Sequence, residues 1–240
     1  IKQALYMQEN NNGTKDIGFE QTNRATTESI NSFGVNLEWD TTDNQTLRFD
    51  AHTSKAKARP DNPLGHTATF VTFGAPVIVQ HSVDWDAGFP FQSFTWDDSQ
   101  RGNNNGVLDP GDLATQLQRS STASQDNKVN ELDLRYSFNW DSTNFVIGTN
   151  YRKSDVEVIT SQTQQDLGSW GMSNPGDVEL YAPGVVETYC LECQFNDFPV
   201  GNAETAFVGD AAVLFPLLQA AYPQNGISVN NAQNEVKEKI

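Results

Sequence analysis

The sequence predicts an all-β chain, a segment of a transmembrane antiparallel β-barrel with long extracellular loops, and three observations carry that prediction. Apolar and polar residues alternate with a period of two in two separate stretches. Each stretch doubles back at a short turn rich in Asp, Thr and Asn. The connections at the opposite end of the hairpins are long and irregular.

The first hairpin covers about residues 28–58. Phe33, Val35, Leu37 and Trp39 alternate with Gly34, Asn36, Glu38 and Asp40, and after Thr41-Thr42-Asp43-Asn44 the alternation resumes with Leu47, Phe49 and Ala51 against Arg48, Asp50 and His52. The second covers about 128–158, with Leu132, Leu134, Tyr136, Phe138 and Trp140 alternating against Asp133, Arg135, Ser137 and Asn139. Its turn, Asp141-Ser142-Thr143-Asn144, leads into Phe145, Ile147, Thr149 and Tyr151. Both hairpins place a Trp on the apolar face just before the turn, where an interfacial aromatic girdle belongs.

The rest reads as loop: about 1–27, 59–127 and 160–240, rich in Asn, Gln, Ser, Thr, Gly and Pro. Compact domains rarely carry structureless connections beyond about 15 residues. Tight turns at one end and long loops at the other fit an outer-membrane barrel; the same alternation would also mark the core and solvent faces of a secreted β-sandwich. Within the last loop, Gly209–Tyr222 reads as a helix with Asp210 as N-cap. Its Pro216 is expected to bend or split it, and its nearly all-round apolarity to bury it under loop.

Fifteen Lys and Arg against 31 Asp and Glu leave a net charge of −16 over 240 residues. That balance argues against a nucleic-acid partner, because a phosphate backbone needs a cationic surplus. The mean hydropathy of −0.56 and the lack of any run of ~18–20 apolar residues exclude a membrane-spanning helix, but not a barrel, in which only alternate residues meet lipid.

Several segments resemble TonB-dependent outer-membrane receptors of Gram-negative bacteria, closest to a large-loop subgroup. They are Gly18-Phe19-Glu20-Gln21-Thr22-Asn23-Arg24, Ser54-Lys55-Ala56 with Pro60-Asp61-Asn62-Pro63, and Trp96 to Gly106. Gln165 to Gly171, Tyr181-Ala182-Pro183-Gly184 and Glu187-Thr188-Tyr189-Cys190 extend the likeness over nearly the whole chain. The resemblance implies a barrel of 22 strands with a plug domain, energised through TonB and taking up a small nutrient across the outer membrane. No plug-like region, TonB-contacting segment or aromatic-ended terminal strand is evident, so the chain is expected to be an internal piece. Its implied partners are the remaining barrel strands, the plug, TonB, the lipid bilayer and the nutrient ligand, whether glycan, siderophore or cobalamin-like. A secreted β-sandwich carbohydrate-binding module is the alternative, and a passive porin-like channel a third.

Cys190 and Cys193 are the only cysteines. As C-x2-C they suit half a zinc site, a redox motif, a reduced inert pair or a local disulfide; an oxidising cell surface makes the disulfide the expectation. Asn103, Asn105, Asp109 and Asp112 fall at positions 3, 5, 9 and 12 of an EF-hand-type loop with Gly106 at the sharp turn, which makes calcium a candidate cofactor. Arg101 occupies the first ligand position, where a carboxylate is needed, and an ordinary Asn/Asp/Gly turn cluster is the plainer alternative. Loop aromatics (Phe70, Phe73, Trp85, Phe89, Phe91, Phe94, Trp96, Trp170, Tyr181, Tyr189) suit either sugar stacking or small cores that hold the loops together. No G-x-S-x-G, H-E-x-x-H or phosphate-binding glycine loop is present, so no enzyme is expected.

Overall fold

The structure, a computed structural model, describes residues 5–86, 90–168, 171–197, 204–223 and 226–239. Its strands are β1 (Tyr6–Arg24), β2 (Thr26–Thr42), β3 (Gln45–Pro60), β4 (Ala68–Asp84), β5 (Phe91–Trp96), β6 (Ala114–Trp140), β7 (Thr143–Asp166), β8 (Val186–Cys190), β9 (Thr205–Gly209) and β10 (Ile227–Lys239). Two helices, α1 (Asp177–Tyr181) and α2 (Ala211–Ala221), lie near β8 and β9 in sequence. Eight strands form one antiparallel sheet, and β8 and β9 form a separate hairpin. Among the described residues the large sheet is open and closes no barrel.

β6, at 27 residues, is the spine. One of its edges takes β3 over residues 125–138 and β4 over 114–121, and the other takes β7 along nearly its whole length. β3 and β4 are therefore two halves of one line, as are β1 and β2, which pair with β4 and β3 in turn. The excursion between β3 and β4 is held by Asn62, whose Oδ1 accepts from the backbone of Leu64 and His66 while its Nδ2 donates to Thr69 Oγ1 at 2.9 Å. Pro76 lacks a ladder N–H, and the β1–β4 register shifts opposite it, between Lys15 and Ile17.

Strand extends into all three stretches that the sequence suggests are loop. β1 fills most of 1–27; β4, β5 and the start of β6 lie within 59–127; and the end of β7, β8, β9 and β10 lie within 160–240. The hairpins of about 28–58 and 128–158 are correspondingly longer, and their turns tighten to Asp43-Asn44 and Asp141-Ser142.

Register assigns each residue of the lower sheet to a face. Trp39, Leu47, Tyr136 and Ile147 share one rung; Leu37, Phe49, Leu134 and Thr149 the next; Val35, Ala51, Leu132 and Tyr151 the third. Phe33, Phe138 and Phe145 lie on this same face, while Arg48, Asp50, Asp133 and Arg135 lie on the other. The apolar residues are bare: Phe33 is 68% exposed, Leu37 54% and Ile147 60%. Nothing among the described residues packs a second sheet over them.

The buried core sits at the far end of the sheet. Val71, Phe73, Ala75 and Val77 of β4 pack with Leu113, Leu167, Val178, Phe207, Leu214 and Leu218. α2 begins at Asp210, whose carboxylate accepts from the Ala212 N–H at 2.8 Å. It runs through Pro216 as one helix, not two, and buries only one side: Leu214 and Leu218 are enclosed, Val213 and Leu217 exposed. Gln118 of β6 donates to Gln165 of β7, and Gln165 donates to the Tyr222 carbonyl. By strand alternation Gln118 shares its face of β6 with Leu132 and Leu134, so this cap stands on the same face as the apolar band.

Candidate functional site

The cap is organised around a buried carboxylate. Asp177, at the start of α1, accepts from the Thr115 N–H at 2.7 Å and the Thr115 hydroxyl at 2.6 Å, and it also accepts from the Tyr222 phenol. The Thr115 hydroxyl also lies 3.4 Å from the Tyr222 oxygen. Burial first, and then the hydrogen bond to Asp177, push the Tyr222 phenol up to about 12. One carboxylate thus joins the start of β6, α1 and the end of α2. The sequence offers no signal for it, because the three residues lie 45 to 107 positions apart.

The predicted calcium residues do come together in the loop before β6, and Asp98 joins them. Asp109 accepts from Asn103 Nδ2 at 2.9 Å and Asn105 Nδ2 at 2.6 Å. Asp112 accepts from the N–H of Asn103 and of Asp109, and Asp109 caps the 3-10 turn Pro110–Asp112 by accepting from the Gly111 N–H. Asp98 accepts from the Gly106 N–H at 2.8 Å. Arg101 turns away and donates to the Met172 carbonyl. Asp98 and Asp112 are buried, and burial pushes the Asp112 carboxyl up, with the neighbouring Asp109 and Asp98 charges adding to the rise. Among the described residues no Lys or Arg lies within ion-pair distance of Asp98, Asp109 or Asp112. An all-oxygen donor set with buried, unneutralised carboxylates fits a hard cation, although the oxygens of Asn103, Asn105, Asp109 and Asp112 already serve the loop's own hydrogen bonds.

Cys190 and Cys193 form a disulfide at the end of β8. Glu192 lies close by, but both sulfurs are committed to each other and neither is a thiolate donor for zinc.

Several loop aromatics are packing residues. Phe73 is fully buried, Phe94 stacks on His81 at 4.7 Å, Tyr181 meets Tyr222 edge-on at 5.6 Å, and Arg119 lies 5.5 Å over the Phe70 ring. Phe91 and Trp96 sit in β5, Trp85 follows β4, and Tyr189 is partly exposed on β8. Phe89 and Trp170 lie outside the described residues.

Between the apolar band and the cap, the same face carries a cluster of charge. Lys55 pairs with Lys128, Lys57 with Asp126, and Asn130 with Lys153. Lys55, Lys57, Asp126, Lys128 and Lys153, with Asp155 and Glu157, line an open cleft of about 570 Å³. Sequence patterning missed the cluster because β3 keeps the same alternation as it passes from Phe49 and Ala51 to Lys55 and Lys57.

No protein-family model matches the chain, and no curated protein matches it.

Proposed function

We propose that this chain is a segment of an outer-membrane β-barrel, the wall and extracellular loops of a TonB-dependent receptor for nutrient uptake. The observation that carries this reading is the uncovered apolar band. It spans β2, β3, β6 and β7, it is backed by an ion-paired polar face, and it has a tight turn at each hairpin base. From Leu132 to Trp140 it covers nine residues of β6, in the range of the ~9–11 that a tilted strand uses to cross a bilayer. Arg48–Glu38 and Arg135–Asp133 pair on the opposite face, which suits a wet lumen. A sandwich would need a second sheet over the band.

In this reading β6 and β7 cross the outer membrane in their lower part and rise outside the cell to carry the cap. The remaining strands and a plug complete a 22-stranded barrel, TonB supplies energy through the plug, and the role is transport, not catalysis. A calcium ion held by Asp98, Asn103, Asn105, Asp109 and Asp112 would brace the loop at the root of the cap.

Brominated acyl chains test the reading. Reconstituted protein should show quenching of Trp39 and Trp140, and Trp39→Phe with Trp140→Phe should remove it, while Trp85 and Trp96 remain bright. A monomer in water with a cooperative unfolding transition and no lipid quenching would favour the secreted binding module.

A further inference from the structure

We propose that the lysine cluster directly above the apolar band binds the phosphate-bearing headgroups of the leaflet that the band contacts. The inference rests on the barrel reading, and it adds a specific lipid contact to it.

Position is the first argument. Thr53, Phe33, Asn130 and Lys153 form the rung just above Ala51, Val35, Leu132 and Tyr151, and Lys55 with Lys128 form the next. One rung advances ~6.8 Å along a strand, so the ammonium groups begin within a side chain's reach of where acyl chains end. Lysine stems can lie along apolar surface while their heads stay in the polar layer.

Charge is the second. The chain carries −16 overall on only 15 cations, yet Lys55, Lys57, Lys128, Lys153 and Arg59 converge on this patch. Arg59 pairs with Asp126 at 2.5 Å and Lys153 with Asp155 at 3.2 Å. Lys55, Lys57 and Lys128 are exposed, and among the described residues no carboxylate lies within ion-pair distance of them. Lys55 stands directly across the ladder from Lys128. Like charges in that position destabilise a sheet, and an anion seated between them removes the penalty.

The surroundings are the third. Above the lysines the same face offers Thr122, Ser124 and Ser161, with the exposed Ile159 across from Ser124, before the cap begins. The cleft is therefore bounded by apolar surface below and by hydroxyls with the lone Ile159 above. An amphiphile with acyl chains, a phosphate and a polar head matches that order. Inorganic phosphate uses only the middle part of it.

The full chain, purified in mild detergent, is reconstituted into vesicles of phosphatidylcholine alone or with added phosphatidic acid. The expected result is insertion into both, with a roughly tenfold preference for the anionic vesicles that weakens with salt. Lys55→Gln with Lys57→Gln and Lys128→Gln should insert equally into phosphatidylcholine and lose the preference, and the three arginine substitutions should retain it. Insertion without preference, or a preference that survives the glutamine substitutions, overturns the lysine site and leaves the barrel standing. Failure to insert into either vesicle overturns both. Loss of the preference in inorganic phosphate at constant ionic strength assigns the site to the free ion and overturns the lipid proposal.

Discussion

The Tyr222 phenol donates its hydrogen to the buried Asp177 carboxylate, joining the end of α2 to the start of α1. Tyr222→Phe removes a hydrogen bond to a charged acceptor, worth about 1.5–3 kcal/mol. Asp177→Ala should cost more, because Thr115 and Tyr222 then both keep buried donors without an acceptor. Amide exchange should quicken in β9, α2 and the start of β6 in both variants, and remain unchanged in the lower hairpins.

Alkaline pH acts on the same contact. The Tyr222 phenol is pushed up to about 12 in the folded chain, against ~10 unfolded. A raised folded value contributes stability that is fully present below pH ~10 and is lost as pH rises through about 12. Absorbance of phenolate should show one tyrosine ionising late, together with loosening of the cap. Tyr222→Phe should abolish that late step.

The two faces of the lower sheet should respond oppositely to a new charge. Leu134→Arg places a cation in the apolar band, where the cost near mid-bilayer is about 2–4 kcal/mol. Asn150 lies on the other face, opposite Asp133, and Asn150→Arg should change stability by well under 1 kcal/mol. Equilibrium unfolding from bilayers measures both. Equal costs at the two positions would remove the distinction between lipid and lumen.

Those faces were legible in the sequence because an apolar and a polar face demand opposite residues at alternate positions, so Leu132–Trp140 could be assigned by inspection. The upper sheet was not. Above the band both faces meet water or the cap, and strand β6 over Gln116–Asn127 is held by its ladder without an apolar stripe. β4 is obscured for another reason: Val71, Phe73, Ala75 and Val77 do alternate, but Gly74 and Pro76 stand between them and read as loop. The α2 cap residue Asp210 was visible because capping is local. The Thr115–Asp177–Tyr222 contact was not, since only the fold brings those residues together.

The loop before β6 should reveal calcium through its pH dependence. Burial raises the folded Asp112 carboxyl, so without metal its contribution is present at pH below the unfolded value and is lost as pH rises through the folded one. A bound cation reverses the sign, because it favours the carboxylate. Amide protection over 98–112 should fall from acid to neutral pH in chelator and be restored by calcium at neutral pH. Asp112→Asn should flatten both responses. Wild-type protection indifferent to calcium would leave the loop a hydrogen-bonded turn cluster and nothing more.

The sheet edges predict how the chain behaves alone in water. Among the described residues β1 and β2 pair only with β4 and β3, and β10 pairs only with β7. Both edges therefore present open backbone groups, which template association between chains. The apolar band adds a contiguous surface across four strands, larger than the few hundred Å² that monomers usually expose. The cap cannot shield it: Leu132 and Gln118 are about 47 Å apart along β6 at ~3.4 Å per residue. Residues 1–240 expressed alone should therefore aggregate in buffer and become dispersed only in detergent. The cap should still protect its own amides there, because its core and the Asp177 contacts are independent of the band. Light scattering and amide exchange in the two solvents separate these effects, and a monodisperse chain in plain buffer would contradict the exposed band itself.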